Sequence, residues 1–172
     1  MKQRDPDFGF QVSEQLGRSS SKEQYAFFYR QSKVKILGRW QYPDEKNAFE
    51  RPPFFVKFSD LNDQFNVAFG NIHTKPEDTP NELGNLTLVY DEIFWKWQPT
   101  FVLFGGDMNA DCSYVANYKW NSIPLWTNST WFTWLIGTDA DSTQAASSCS
   151  CKFVSFHIKK FLTLTFLTFV TN

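Results

Sequence analysis

The stretch covering residues 80–97 most narrows what this chain can become. Leu83, Leu86, Tyr90, Ile93 and Trp97 recur at three- and four-residue steps, which lays them along one stripe of a helix. Thr79 is placed to cap that helix, Pro80 suits its first position, and Glu82 adds negative charge to its first turn. Gly84 works against it. Short segments rich in aromatic and β-branched residues flank it: residues 25–30, 34–37, 54–58 and 65–69 before, and 101–104 after. Bounded by polar breaks, they read as strands. Strands on both sides of an amphipathic helix imply an α/β architecture of packed layers. At 172 residues, 42% of them apolar and 19% aromatic, the chain can build one substantial core and is not of a disordered composition.

Charge is unevenly spread. Residues 1–60 hold 11 Lys/Arg against 8 Asp/Glu, whereas residues 61–151 hold 3 against 10. A basic half followed by an acidic half suits a site with phosphates on one wall and a cation on the other, and suits unrelated solvated faces equally. Three cysteines, Cys112, Cys149 and Cys151, allow one bridge with a thiol left over, or three free thiols. Acceptor patterns for N-glycosylation occur at Asn85 and Asn128 and tilt the reading toward the secretory pathway. The opening MKQRDPDFGF shows no apolar signal-peptide core, so either the protein stays inside the cell or its beginning lies elsewhere. From Lys152 the sequence changes to a Phe- and Thr-rich tail without Gly, Pro or acid. That tail is short of the roughly 20 apolar residues of a membrane span and reads as an edge strand or a read-through end. Two units are expected: a domain over residues 1–150 and an unrelated tail over 151–172.

Chemistry concentrates in FVLFGGDMNADCSYV. An apolar strand breaks at two glycines and is followed by Asp107, Asn109 and Asp111 at every second position. A helix-loop-helix calcium loop is excluded, because Cys112 stands where Gly is demanded and Tyr118 where a bidentate Glu should be. Turn chemistry after Gly-Gly is the simpler alternative, but the strand before it aims Asp107 out of a sheet end, where open α/β sheets place their sites. His73 also follows a strand. Glu23 precedes another and is a carboxylate that could orient the imidazole, while Arg18 and Arg51 could each grip a phosphate.

Read together, VSEQLGRSSSKEQYAFFYR, YPDEKNAFERPPFFVKF, IHTKPEDTPNELGNLTLVYDEIFWKW, GGDMNADCSY and WNSIPLWTNSTWFTWLIGTDADST resemble the deoxyribonuclease I family in order and spacing. The resemblance runs from residue 10 to residue 149. It implies a partial four-layer α/β sandwich, two packed mainly antiparallel sheets flanked by helices. It also implies DNA phosphodiester hydrolysis with Mg²⁺, assisted by Ca²⁺. By position, His73 matches a catalytic histidine, Glu23 its carboxylate partner, and Asp107 a carboxylate at the metal and scissile phosphate. Asn109 matches a phosphate-binding neighbour, Arg18 and Arg51 match contacts to the DNA backbone, and Tyr114 lies near that surface. Asp141, Thr143 and Ser147 match a calcium loop in which Ala145 replaces an expected oxygen. Cys112 and Cys149 match the family's main disulfide. The resemblance further implies a secreted monomer.

The sequence departs from the family pattern in ways that shape the expectation. Pro52 replaces an acidic residue of a second calcium site, and His157 sits in the tail without an acidic neighbour. The family's first strand with its Asn, a metal-binding Glu, and a late Asp-His pair have no counterpart here. Residues acting as a unit fail together, so impaired activity and poor folding are expected. The alternatives are a non-catalytic DNA-binding fragment and a phosphoesterase of the wider endonuclease/exonuclease/phosphatase group. Cys112 with Cys149 and the Asn-Ala-Asp-Cys-Ser run argue against the last.

Overall fold

The computed structural model describes residues 7–110 and 113–136, with the backbone of 155–156. Among the described residues seven strands are formed: β1 (Phe8–Val12), β2 (Ala26–Arg30), β3 (Val34–Gln41), β4 (Phe54–Asp60), β5 (Asn66–Asn71), β6 (Phe101–Gly105) and β7 (Ser155–Phe156). The helices are α1 (Thr79–Trp97) and the single turn α2 (Pro124–Thr127). β1 and β2 form an antiparallel pair, and the other five form a sheet in the order β3-β4-β5-β6-β7. All its pairings are antiparallel except β5–β6. The sequence tail thus adds a two-residue edge to β6.

β4 shows why the layers form. Phe54, Val56 and Phe58 point to one face and pack with Tyr25, Phe27 and Leu16 beneath the two-stranded sheet. Phe55, one residue out of phase, points to the other face and packs with Leu83, Leu86 and Ile93 of α1. A strand buried on both faces reads as a continuous apolar run, which FFVKF is. The α1 stripe is the expected one: Leu83, Leu86 and Ile93 are fully buried, Tyr90 nearly so, and Val89 joins them. Removing each aliphatic side chain from water contributes about 1.5–3 kcal/mol. Trp97 is half-buried against Gly38, where β3 shifts register. Helix α1 ends at Gln98, whose left-handed backbone lets its N–H donate to the Phe94 carbonyl, while Lys57 Nζ donates to the Trp97 carbonyl at 2.8 Å.

The described residues therefore stack as helix, five-stranded sheet and two-stranded sheet. On the outer side of the two-stranded sheet Phe8, Phe10 and Phe28 are exposed among the described residues, with the Arg30 guanidinium over the Phe8 ring. Three details differ from the sequence expectation. The strand β1 lies outside the segments read as strands, although Phe8, Phe10 and Val12 alternate along it, and it pairs with β2. β3 runs on to Gln41, past a bulge at Leu37. Thr79 is not the cap: a 3₁₀ turn (Pro76–Asp78) runs directly into α1, so Asp78 takes that place without a side-chain capping bond. The Thr79 hydroxyl donates instead to the Lys75 carbonyl.

Candidate active site

The parallel pair β5–β6 brings the two most chemical loops together. Their register ends at Asn71 opposite Gly105, and the ladder continues past the strands. Ile72 N–H donates to Gly105 O and Thr74 N–H to Asp107 O, both at 3.0 Å. His73 and Asp107 therefore leave adjacent strand ends at equal offsets. Gly106 makes this approach possible. Its φ is +132°, and a Cβ there would lie 2.0 Å from the Ile72 carbonyl oxygen, so any other residue would force the two loops apart.

Glu23 arrives from the opposite sheet. It closes a bridge with Leu16 just before β2, and its carboxylate takes two partners. Oε2 lies 2.7 Å from His73 Nδ1, and Oε1 lies 2.9 Å from the Arg51 guanidinium. The other imidazole nitrogen, Nε2, faces Asp107 Oδ2 across 3.8 Å. Asp107 Oδ1 accepts the Asn109 N–H, which leaves Oδ2 turned to the cleft. The cleft is shallow, about 260 Å³, and Glu23, Tyr25, Asn71, His73, Gly106 and Asp107 are among its lining.

Buried side chains back the His73 loop. The Tyr25 hydroxyl accepts the His73 N–H at 2.8 Å and donates to the Arg51 carbonyl at 3.2 Å; burial pushes its pKa well above the ordinary tyrosine range. Glu82, from the first turn of α1, is 1% exposed. It accepts the Glu50 N–H at 2.8 Å and the Lys75 N–H at 3.2 Å. Burial raises its pKa to about 7; those two N–H bonds oppose the rise, and nearby Asp78 and Glu50 add to it. The Thr74 hydroxyl donates to Met108 O at 2.7 Å and so braces the His73 loop against the Asp107 loop.

A divalent cation fits this arrangement only in one form. Among the described residues no group of three His, Cys, Asp or Glu forms a cage. One free carboxylate oxygen on Asp107 suits a hydrated Mg²⁺, which commonly takes one or two carboxylates together with substrate phosphate.

No protein-family model matches the chain. Deoxyribonuclease-1 of Bos taurus, however, is 40% identical over 157 residues, covering 87% of this chain and 55% of that protein. The chain is a relative of deoxyribonuclease I. It spans little more than half the length of that curated relative. Among solved structures, an endonuclease/exonuclease/phosphatase family protein from Bacteroides thetaiotaomicron superposes with a TM-score of 0.60 at 14% identity, over 88% of this chain and 60% of that one. A mannosyl-6-phosphatase of the same organism gives 0.59 at 14%, over 88% and 63%. These two likenesses show the fold, an α/β sandwich, and not the substrate.

In this deoxyribonuclease I relative, the residues read from the sequence fall into three groups. Glu23, His73 and Asp107 converge. Arg51 and Asn109 touch the same loops, whereas Arg18 is held by Asp44, Asn47 and Glu50, and the polar atoms of all three are largely spoken for. The Arg18 guanidinium binds Asp44 Oδ2 and the Asn47 carbonyl. The Arg51 side chain is 10% exposed and pairs with Glu23, with its Nε buried and unpartnered. Asn109 is buried in a left-handed conformation and donates from Nδ2 to the Thr74 carbonyl at 2.9 Å. Tyr114 is exposed. Asp141, Thr143, Ser147, Cys112 and Cys149 lie outside the described residues.

The glycosylation patterns also separate. Asn85 sits inside α1, half-buried, with Nδ2 donating to the Asn81 carbonyl. Asn128 ends α2, and Asn128, Ser129 and Thr130 are all exposed. Tyr25 and Glu82 are the site-supporting residues that the sequence reading missed. Glu82 did carry a signal: it stands four residues before Leu86, on the buried stripe, where a carboxylate must find partners.

Proposed function

We propose that the chain carries a DNA phosphodiesterase site dependent on a divalent metal, with Glu23, His73 and Asp107 as its working residues. The observation that supports it most is His73 held at Nδ1 by Glu23, with Nε2 turned toward the Asp107 carboxylate. In the neutral ring, Nδ1–H donates to Glu23 and Nε2 keeps its lone pair for the cleft. The 3.8 Å separation is too long for a hydrogen bond, and one water or phosphate oxygen on the cleft side can contact both atoms. Nε2 then takes a proton from the water that attacks phosphorus. The P–O bond to the leaving strand end breaks and its oxygen takes a proton from solvent, while Glu23, backed by Arg51, compensates the imidazolium that forms. A hydrated Mg²⁺ at Asp107 Oδ2 would supply charge neutralisation at the phosphate oxygens. DNA as substrate rests on the relationship to deoxyribonuclease-1.

The same reading gives Asn128, not Asn85, as the usable glycosylation acceptor, since a sequon needs an accessible loop. That exposure is in keeping with a secreted protein. No described helix is long and apolar enough to cross a membrane.

Relaxation of supercoiled plasmid is the direct test. Weak nicking that needs Mg²⁺, stops with a chelator and falls a further 10²–10⁴-fold, roughly, in His73→Ala is the expected result. Full activity in His73→Ala, or no metal-dependent nicking at all, would overturn it. Salt-sensitive DNA binding without cleavage would replace it with the binding-only reading.

A further inference from the structure

Two segments that are far apart in sequence build the Glu23–His73 contact. One is residues 49–53, which presents Arg51 to Glu23. The other is residues 72–75, which presents His73. Among the described residues no backbone hydrogen bond joins them directly. They meet instead through two buried side chains contributed by other elements. Tyr25 links His73 N–H to the Arg51 carbonyl. Glu82 links Glu50 N–H to Lys75 N–H, one carboxylate oxygen for each.

We propose that Glu82 is a positioning residue for the histidine site, a carboxylate clasp that sets the spacing between the Arg51 segment and the His73 loop. The inference rests on the functional reading above, and it adds a residue that never faces the cleft.

The chemistry of the clasp is specific. A carboxyl group offers acceptors on both oxygens when ionised and keeps acceptor capacity on its hydroxyl oxygen when protonated, so in either state it can receive two N–H groups from opposite sides at once. A carboxamide of the same shape has only one acceptor, and its NH₂ would confront the second N–H donor. An alkyl group would leave both donors buried and unpaired, a loss of about 1–3 kcal/mol for each. The clasp also reaches further than its two direct bonds. The Glu50 side chain receives the backbone N–H groups of Arg18 and Ser19, which ties the Arg18 loop to the same segment. Those backbone hydrogen bonds hold the Glu50 carboxyl below its ordinary pKa, so it stays an acceptor across the neutral range. One residue of α1 therefore anchors the Glu50–Arg51 step, and through it the positions of Arg18, Arg51 and the carboxylate that orients His73. A displacement of about 1 Å at a reacting group costs up to about 100-fold in rate.

The test compares Glu82→Gln with Val89→Ala in the full chain. Val89 is a fully buried α1 residue with no part in the clasp, so it controls for plain loss of stability. The primary readout does not need catalysis. His73 is one of only two histidines, so its ring signals are assignable by NMR, including the Nδ1 proton held by Glu23. Glu82→Gln is expected to shift or broaden that Nδ1 proton, and Val89→Ala to leave it in place. In plasmid nicking, Glu82→Gln is expected to lower kcat about 10- to 100-fold with little change in KM. An unchanged His73 proton in folded Glu82→Gln would overturn the clasp. If Glu82→Gln fails to fold, Glu82→Asp keeps the charge but shortens the arm to the Glu50 and Lys75 N–H groups, and an unmoved His73 proton there overturns the proposal equally. Wild-type protein that does not nick DNA would sink the functional reading alone, because the NMR comparison still decides the clasp.

Discussion

The two sides of the five-stranded sheet are finished to different degrees. On one side α1 covers the sheet so completely that Leu83, Leu86, Val89 and Ile93 have no exposed surface. On the other side the two-stranded sheet covers Phe54, Val56 and Phe58 with Phe27 and Tyr25, yet its own outer face leaves Phe28 70% exposed and Phe10 58% exposed. The candidate site sits across both. His73 and Asp107 hang from the helix-covered sheet, while Glu23 comes from the half-covered one. The geometry of the site is thus set by the firm side, and its electrostatic partner is supplied by the looser side. Stability and chemistry should therefore respond to different residues.

The largest expected effect is on chemistry alone. His73→Ala removes a ring whose side chain is 32% exposed, so little core packing is lost with it. Nicking should fall about 10²–10⁴-fold while the thermal midpoint stays close to that of the unchanged protein. A large drop in the midpoint would show the imidazole to be a structural residue.

Next comes the helix side. Leu86→Ala empties a position of zero exposure in the main core and should cost about 2–5 kcal/mol in urea unfolding. A loss below about 1 kcal/mol would mean that α1 is not docked on the sheet as described.

A smaller effect is pH dependence through Glu82. Burial raises its folded-state pKa to about 7 from the ordinary 4.5. Between those values the native state holds a proton that the unfolded chain has released, so the contribution is full below about 4.5 and lost as pH rises through 7. Stability should fall by on the order of 2 kcal/mol between pH 5 and pH 8 from this group. Glu82→Gln should flatten that slope, and unfolding curves at three pH values are enough to see it. A slope of opposite sign in the unchanged protein, restored to flat by the substitution, would contradict the assignment.

How much of this was legible in the sequence depended on whether local pattern or long-range pairing decided the outcome. The α1 stripe and the run FFVKF were readable because periodicity reports directly on which faces are buried. The convergence of His73 and Asp107 was half-readable. Each follows a strand, but only the parallel register of β5 on β6 makes them neighbours. The fate of Arg18 and Arg51 was not readable. A guanidinium that suits a phosphate suits a carboxylate equally, and the presence of Asp44 and Glu23 within reach depends on tertiary packing. Glu82 stands in the first turn as its sequence position implies, but its burial was not readable, because propensity rules score a helix terminus without knowing what packs on it.

The smallest expected effect probes that outer face of the two-stranded sheet. Phe28 lies on β2 with its ring 6.3 Å from that of Phe10, and both are open to water. Phe28→Thr keeps β propensity and removes apolar surface that is not buried, so the change in stability should stay within about 0.5 kcal/mol. The same residue replaced on the inner face would behave otherwise: Phe27, one position earlier, is buried against Phe54, Phe58 and Phe69, and Phe27→Ala should cost about 3–5 kcal/mol. Measuring the two substitutions side by side compares the two faces of one strand from the same starting residue type. If Phe28→Thr instead costs more than about 1 kcal/mol, the outer face is covered in solution. Sedimentation of the unchanged protein would then show whether a second copy supplies the cover.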